Sequence, residues 1–164
     1  MVPWSQLHDE APELGRLADE LFGRTGLALV GSTRADGWPR ISPCEPFVID
    51  GDLYLGMMWQ SRKALDLVRD PRCVVHSTVA DKAGTEGELK AYGRAVDVPE
   101  PDRRERYRAT LEAQTGWRPS EPFHLFALDL TEVGYCRFHD GTQVIRRWRP
   151  GGPEAPIEEK EAPS

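Results

Sequence analysis

The chain has 164 residues, of which 39% are hydrophobic and 29% charged, and its formal net charge is −6 at neutral pH. This length suits one domain with a real core, and the acidic balance argues against a nucleic-acid binder held by phosphate contacts. No apolar run approaches the roughly 20 residues of a membrane-spanning helix, and no secretory signal is visible at the N-terminus. Cys44, Cys73 and Cys136 form no CxxC pair. We therefore expect a cytoplasmic protein without a disulfide framework.

The first half of the chain predicts one helix followed by three strands. Apolar residues recur at helical spacing over 12–23, where Pro12 suits the first turn. Strands are predicted over 27–33, 39–49 and 52–58. Tight turns at Asp36-Gly37 and Asp50-Gly51 join them. Such short connections predict an antiparallel meander and exclude a βαβ unit.

The second half continues the pattern and ends in a polar tail. Helices are predicted over 61–69 and 102–114, and strands over 73–80, 88–98, 123–138 and 142–148. Several strands are apolar on both faces, which predicts a closed barrel covered by helices and by a second subunit. The predicted fold is mainly β (α+β): an antiparallel split β-barrel of six to seven strands with peripheral helices, forming a homodimer. Residues 1–150 would form the barrel, and 151–164, rich in Pro, Gly and Glu, would be disordered.

The helix predicted over 61–69 begins in an unusual way. Ser61 is a good N-cap, but Arg62 and Lys63 follow it at the end of the helix where the dipole is positive. Two cations beside free amides are favourable when an anion such as a phosphate monoester binds there. The alternative is that both side chains are solvated and compensated by neighbouring acids.

The context of this helix start resembles a known superfamily. The segments LALVGSTRADGWPRISPCEPFVIDGDLYLGMM, SRKALDLVRDPRCVVHS and ELKAYGRAV follow one another over roughly residues 25–98. In order and spacing they resemble the FMN-binding split-barrel superfamily, which includes pyridoxamine 5'-phosphate oxidase. The resemblance implies a dimeric barrel with two flavins in clefts between the subunits.

The resemblance also implies which residues contact the flavin. The phosphate would be held by Ser61, Arg62 and Lys63. The ring would lie along Gly56, Met57 and Met58, where the glycine permits close approach and methionine packs well on aromatic rings. For either methionine, plain core filling is the alternative. The second strand would contribute Arg40, Ile41 and Ser42, with Pro43 as a further candidate.

The last two strands add candidates of a different kind. Arg137 and His139 resemble the Arg-x-His that pyridoxamine phosphate oxidases place over the substrate, although a His-Asp-Gly turn explains His139 equally well. The resemblance places a late Trp or Arg near the cofactor, which here would be Trp148 and Arg147. Alternatively, the neighbouring arginines pair with surface acids. No complete set of pyridoxal-phosphate contacts is present, so vitamin B6 oxidation is not expected.

The leading interpretation is an FMN-dependent oxidoreductase that acts on a small organic substrate. One alternative is a reductase that uses the deazaflavin coenzyme F-420, whose anionic tail would need additional cations such as Arg40, Arg147 or Arg149. Another is a non-catalytic protein that binds or stores flavin or haem, with His76 or His124 as candidate axial ligands. Cys136 and His139 are spaced like half of a metal site, but no second half exists.

Overall fold

The computed structural model describes residues 1–155 and 157–161 of the chain. Its helices are α1 (Trp4–Glu10), α2 (Pro12–Gly23), α3 (Arg62–Arg69) and α4 (Pro101–Thr115). Its strands are β1 (Ala28–Thr33), β2 (Pro39–Cys44), β3 (Pro46–Ile49), β4 (Asp52–Met58), β5 (Arg72–Ser77), β6 (Glu88–Asp97), β7 (Phe123–His139), β8 (Thr142–Trp148) and β9 (Glu158–Glu161).

The strands form an antiparallel barrel that closes through one bent segment. Neighbouring strands follow the order β2-β1-β5-β6-β7-β4-β3, and only Glu45 separates β2 from β3 in the chain. The single strand predicted over 39–49 is therefore bent at Glu45. Its first half pairs with β1 and its second half pairs with β4. The predicted meander and the split-barrel fold are both confirmed, and β8 extends the sheet from β7.

Two N-terminal helices cover one side of the barrel. α2 has the predicted bounds, whereas α1 was not predicted from the sequence. Trp4 and Leu7 of α1 are completely buried and join Leu14 of α2 in the main apolar core. None of the helices in the described part of the chain is long and apolar enough to cross a membrane.

α4 packs against the outer face of β4 and β7. Tyr107 and Leu111 of α4 pack with Tyr54 of β4 and Leu125 of β7 in a second apolar cluster. Tyr107 lies between the rings of Tyr54 and Phe123, with centroid distances of 6.2 and 6.0 Å. The face of β4 that points away from the main core is therefore occupied by α4.

The predicted disorder of the C-terminal tail is not what the structure shows for 158–161. These residues form β9, which pairs antiparallel with the free edge of β8. Backbone groups make this pairing, so it needs no apolar side chains, and all four side chains of β9 are exposed. Residues 156 and 162–164, also part of the predicted tail, lie outside the described residues.

Candidate functional site

A buried carboxylate holds α3 across the end of the barrel. Asp66 accepts a hydrogen bond from Arg40 Nε of β2 at 2.5 Å, and Ser32 Oγ of β1 approaches the same oxygen at 3.5 Å. Arg69, on the same helix, donates to the other oxygen at 3.3 Å. Burial alone would raise the pKa of Asp66, but hydrogen bonds and charges from Arg40 and Arg69 keep that pKa below its ordinary value. The ionised carboxylate therefore fixes α3 on the barrel.

The start of α3 carries polar groups that the protein leaves unpaired. Ser61 is the N-cap by its backbone, since its carbonyl accepts a hydrogen bond from the Leu65 amide at 3.0 Å. The predicted capping hydrogen bond from its side chain is absent. Ser61 Oγ is instead buried without a hydrogen-bond partner among the described residues. The first amides of α3 also have no partner within the helix.

The two cations of the helix start differ in their surroundings. Arg62 is exposed and has no acidic partner in residues 1–155 or 157–161. The Lys63 ammonium donates a hydrogen bond to the carbonyl of Pro43, which ties the helix start to β2. The compensation by neighbouring acids that the sequence left open is therefore not present. The Lys63 contact places the helix start beside Pro43, near the C-terminal end of β2.

The predicted contacts on β2 lie on two different faces. Arg40 and Ser42 alternate with Ile41 and Pro43 along the strand. Arg40 points towards Asp66, so its guanidinium is engaged in holding α3. Ile41 points away from the core and is 71% exposed. The outer face of the strand, with Ile41 and Pro43, is the exposed one.

The predicted ring contacts on β4 require a correction. A Cβ atom at Gly56 would lie 2.1 Å from Tyr107 Oη, so the space beside this glycine is filled by a protein ring. The side chain of Met57 is 4% exposed and belongs to the main core, which is the core-filling alternative. Met58, by contrast, is 78% exposed at the end of the strand, next to the half-exposed Trp59. The residues here that can contact a ring are Met58 and Trp59.

Within one chain, the candidates from the last strands lie away from the start of α3. Trp148 is 1% exposed, and its indole donates a hydrogen bond to Glu10 at 3.0 Å. It is buried because α1, which the sequence analysis missed, covers it. Arg147 and Arg149 both pair with Glu132. Within one chain these arginines form surface ion pairs, which is the alternative to a cofactor contact that the sequence analysis left open.

Arg137 and His139 lie at the far end of β7 from α3, because β7 begins at Phe123 beside the end of β4. His139 is exposed in the β7–β8 turn and pairs with Asp140 at 3.2 Å. Within one chain, neither residue reaches the start of α3. The turn explanation of His139 therefore fits its position.

The two candidate haem ligands have different environments. His76 is satisfied by the Ser77 carbonyl, 2.6 Å from Nδ1, and lies 3.6 Å from Glu88. His124 is 9% exposed and lies between the rings of Trp59 and Phe126, with centroid distances of 4.6 and 5.9 Å. Its Nε2 atom is buried and has no partner in the described part of the chain. Nε2 of His124 is therefore buried without a partner in the described residues, whereas Nε2 of His76 faces the Glu88 carboxylate.

The cysteines and the acidic groups provide no metal site. Within residues 1–155 and 157–161, no cluster of three His, Cys, Asp or Glu side chains could hold a metal ion. Burial raises the pKa of Cys44 to about 11 and that of Cys73 to about 12, so both thiols remain protonated. Cys136 accepts a hydrogen bond from Gln143.

The sequence analysis missed the role of Asp66, which anchors α3. Its partner Arg40 is 26 residues away in the chain, so no local pattern links them. A signal was present on β2, because strand alternation places Arg40 on the same face as the buried Cys44. An arginine on an inward face needs a carboxylate, and Asp66 supplies it.

A comparison with protein-family models finds no match, and a comparison with curated proteins finds none either. Solved structures do match. PhzG from Burkholderia lata 383, in complex with tetrahydrophenazine-1-carboxylic acid, aligns over 94% of this chain and 96% of its own, with 14% identity and a TM-score of 0.66. The chain has the fold of the pyridoxamine 5'-phosphate oxidase-like split barrels. The predicted resemblance is thus confirmed at the level of fold.

Two further split barrels show the range of proteins with this fold. One, from Clostridium acetobutylicum, is described as related to general stress protein 26 and as of the pyridoxinephosphate oxidase family; it has 15% identity and a TM-score of 0.62 over 81% of this chain and 92% of its own. The other is a heme binding protein from Mycobacterium smegmatis, with 14% identity and a TM-score of 0.60 over 88% of this chain and 56% of its own. At these identities the likeness establishes the fold.

Proposed function

We propose that the protein binds FMN at the start of α3 and acts as a flavin-dependent oxidoreductase on a small organic substrate. The observation that carries the proposal is the unpaired polar surface of that helix start. Ser61 Oγ is buried without a partner, and Arg62 has no acidic partner among the described residues. A phosphate monoester of charge about −2 would complement both groups and the free amides.

Each residue at the helix start has a distinct part in holding the phosphate. The Ser61 hydroxyl would donate a hydrogen bond, and the planar guanidinium of Arg62 would bind two phosphate oxygens. Lys63 already bonds the Pro43 carbonyl and still has two N–H groups to offer. Asp66 keeps all three in place by anchoring the helix to β2.

The apolar side chains beside the helix start suit a planar ring. Met58 and Ile41 are the two most exposed large apolar residues in the described part of the chain, and Trp59 is half-exposed. Their exposure costs free energy in water and would be relieved under an isoalloxazine ring. When bound, FMN would supply the hydride chemistry, while the chain binds the ring, orients it and excludes water from it.

The surrounding charges favour FMN over the deazaflavin coenzyme. The longer anionic tail of the deazaflavin would need cations beyond the phosphate site, for which Arg40, Arg147 and Arg149 were the candidates. Arg40 is bound to Asp66, and the other two pair with Glu132. Recruiting any of them would break an existing ion pair, so F-420 is the weaker candidate.

Titration of the FMN-free protein with FMN, followed by flavin fluorescence, tests the proposal. Hydrogen bonds to charged groups contribute about 1.5–3 kcal/mol each, so Arg62→Ala and Lys63→Ala should each weaken FMN binding about 10- to 100-fold. Riboflavin lacks the phosphate and should bind wild type and both variants with the same low affinity. A steady-state assay with a nicotinamide donor then separates an enzyme from a storage protein.

Arg106→Ala is the matched control for these variants. Arg106 lies on α4 and pairs with Asp50 on the surface, so its removal should leave FMN affinity unchanged. FMN binding that is equally tight in Arg62→Ala, Lys63→Ala and the control would refute the phosphate site. Preference for the deazaflavin over FMN in the same titration would move the function to the alternative coenzyme.

Haem binding is a second candidate, favoured by the free Nε2 atom of His124. An imidazole nitrogen is an ordinary axial ligand of haem iron, and the His124 ring lies against the rings of Trp59 and Phe126. The heme binding protein from Mycobacterium smegmatis shares the fold. A haem titration should then give a Soret band that His124→Ala loses and that His76→Ala retains. Equal spectra from both variants would exclude His124 as the ligand.

We also propose that the protein is a homodimer. One row of residues runs in register across the outer face of four strands: Ile41 of β2, Gly31 of β1, Val74 of β5 and Tyr92 of β6. This apolar row has an exposed residue at each end, since Ile41 is 71% and Tyr92 40% exposed. A second copy of the chain would cover it, and the row adjoins β2 next to the proposed flavin site.

A further inference from the structure

A cavity lies between α2 and the β7–β8 pair, at the opposite end of β7 from α3. Its volume is about 180 Å³. Glu13, Arg16 and Leu17 of α2 line one wall, and Tyr135, Arg137, Val144 and Arg146 line the other. None of these residues contributes to the proposed flavin site.

The spacing of residues along the helix and the strands explains how these side chains meet at the cavity. Glu13, Arg16 and Leu17 stand at positions i, i+3 and i+4 of α2 and therefore share one helix face. On the sheet, Tyr135 pairs with Arg146 and Arg137 pairs with Val144. Residues 135 and 137 alternate onto the same face of β7, so these four side chains form a compact square opposite the helix.

The cavity carries an excess of positive charge. Three guanidinium groups, from Arg16, Arg137 and Arg146, face a single carboxylate, that of Glu13. Arg146 is held in position by Glu13 at 2.7 Å and by Glu154 at 3.5 Å. Arg137 has no acidic partner in the part of the chain that the structure describes. The charges of the lining residues sum to +2, and two further carboxylates outside the lining, Glu154 and Glu20, pair with Arg146 and Arg16, which leaves Arg137 as the cavity cation without an acidic partner in the described residues.

A phenol and two apolar side chains complete the wall. Burial raises the pKa of Tyr135, although the charges of Arg137 and Arg146 act in the opposite direction, so its hydroxyl keeps its proton at neutral pH. That hydroxyl is available as a donor. Leu17 and Val144 add apolar surface that suits a short carbon chain.

We propose that this cavity is a binding site for a compact dianion of the phosphate-ester or dicarboxylate class. Arg137 and Arg146 bind the two anionic oxygens, Arg16 closes the site from α2, and Tyr135 donates a hydrogen bond. A volume of about 180 Å³ is well above the roughly 10–15 Å³ that one water molecule needs on this measure, which leaves room for a phosphate or a four-carbon diacid. The site is independent of the proposed flavin function.

Isothermal titration of the full chain at low ionic strength with inorganic phosphate and with succinate tests this site. We expect saturable binding of at least one of the two, and no binding of the neutral analogue succinamide. Which of the two anions binds identifies the class. Arg137→Gln should weaken binding at least tenfold, because it removes the one cavity cation without an acidic partner. Arg16→Gln should weaken it less, since Arg16 also pairs with Glu20.

Two controls make the outcome decisive. Arg149→Gln removes a cation that pairs with Glu132 outside the cavity and should leave anion binding unchanged. Arg62→Ala is a second comparison, because Arg62 belongs to the other proposed anion site, at the start of α3; binding to the cavity should survive in this variant, and any additional binding that it abolishes belongs to α3. Loss of anion binding in Arg62→Ala with retention in Arg137→Gln would place the anion at α3 and overturn the proposal. Absence of saturable binding by both anions would overturn it as well.

Discussion

Asp66 connects three elements that are distant in the chain. Its carboxylate on α3 contacts Arg40 of β2 and Ser32 of β1, and Arg69 then bonds the carbonyl of Thr33 at the end of β1. All of these contacts lie at the barrel end that α3 crosses. The position of the cationic helix start therefore depends on one buried ion pair.

Replacing Asp66 with Asn should lower the free energy of unfolding by about 2–4 kcal/mol, because Arg40 and Arg69 would lose their compensating charge. Urea unfolding followed by circular dichroism measures this. Asp36→Asn is the control: Asp36 pairs with Arg34, both are about half exposed, and such pairs contribute little. Equal losses in the two variants would show that the Asp66 pair has no special role.

The same ion pair predicts a pH dependence of stability. Folding lowers the pKa of Asp66, so its contribution is complete above the unfolded-state value of about 3.9 and is lost as the pH falls through the lower folded-state value. The stability difference between wild type and Asp66→Asn should therefore be constant near neutral pH and shrink below about pH 4. A difference that stays constant down to pH 2 would contradict this assignment.

Gly56 and Tyr107 give a second prediction about a single contact. In Gly56→Ala the new Cβ would lie 2.1 Å from Tyr107 Oη, and such overpacking costs about 1–3 kcal/mol. Tyr107→Phe removes that oxygen and should recover part of the loss, which a double-mutant cycle measures as coupling. FMN affinity should not change in Gly56→Ala. A loss of FMN affinity without loss of stability would return Gly56 to the cofactor site.

Helix α1 shows why some elements escape sequence analysis. It has seven residues and no side-chain cap, so neither its length nor its ends provide a helix signal. Its stability comes from packing: Trp4 is fully buried, lies 5.7 Å from the ring of Phe22 and donates a hydrogen bond to Asp19 at 2.9 Å. These contacts are long-range and leave no local pattern.

Trp4→Ala should therefore cost about 3–5 kcal/mol of unfolding free energy, the usual range for a buried Trp. Trp117→Ala is the matched control, since Trp117 is 61% exposed in the loop after α4. Thermal unfolding of both variants measures the difference. A small effect of Trp4→Ala would mean that α1 is dispensable to the core, and Trp148 would then be covered by some other contact.

Elements with strong local signals were predicted well. The apolar period of α2 and the turns at Asp36-Gly37 and Asp50-Gly51 act over a few residues, and β4 has the predicted bounds 52–58. The bend at Glu45 could not be predicted, because it follows from pairing with both β1 and β4.

The candidate site also combines residues that a local pattern predicts with residues whose surroundings depend on distant elements. The run Ser61 to Lys63 is contiguous in sequence, and the structure indeed holds it as one helix start. Gly56 and Trp148 were assigned from the resemblance to the superfamily. Their surroundings depend on α4 and α1, which no local pattern connects to them.

Over the whole molecule, the apolar row formed by Ile41, Gly31, Val74 and Tyr92 remains exposed after the helices have packed. α1 and α2 cover one side of the barrel, α4 covers another, and α3 closes one end. The face that carries the row therefore meets water in a single chain. Exposed apolar rows on a sheet face mark interaction surfaces.

If a second copy covers the row, Ile41→Glu and Tyr92→Glu should convert a dimer into a monomer, because each buries a carboxylate in an apolar contact. Light scattering coupled to size exclusion over a range of concentrations measures the mass, and Trp117→Glu in the loop after α4 is the control. Since Ile41 is also a proposed ring contact, Ile41→Glu should lose FMN affinity while keeping its thermal stability. A dimer that survives both substitutions must use another face. If the wild-type protein is a monomer, one chain alone forms the flavin site, and the FMN affinity should then be independent of protein concentration.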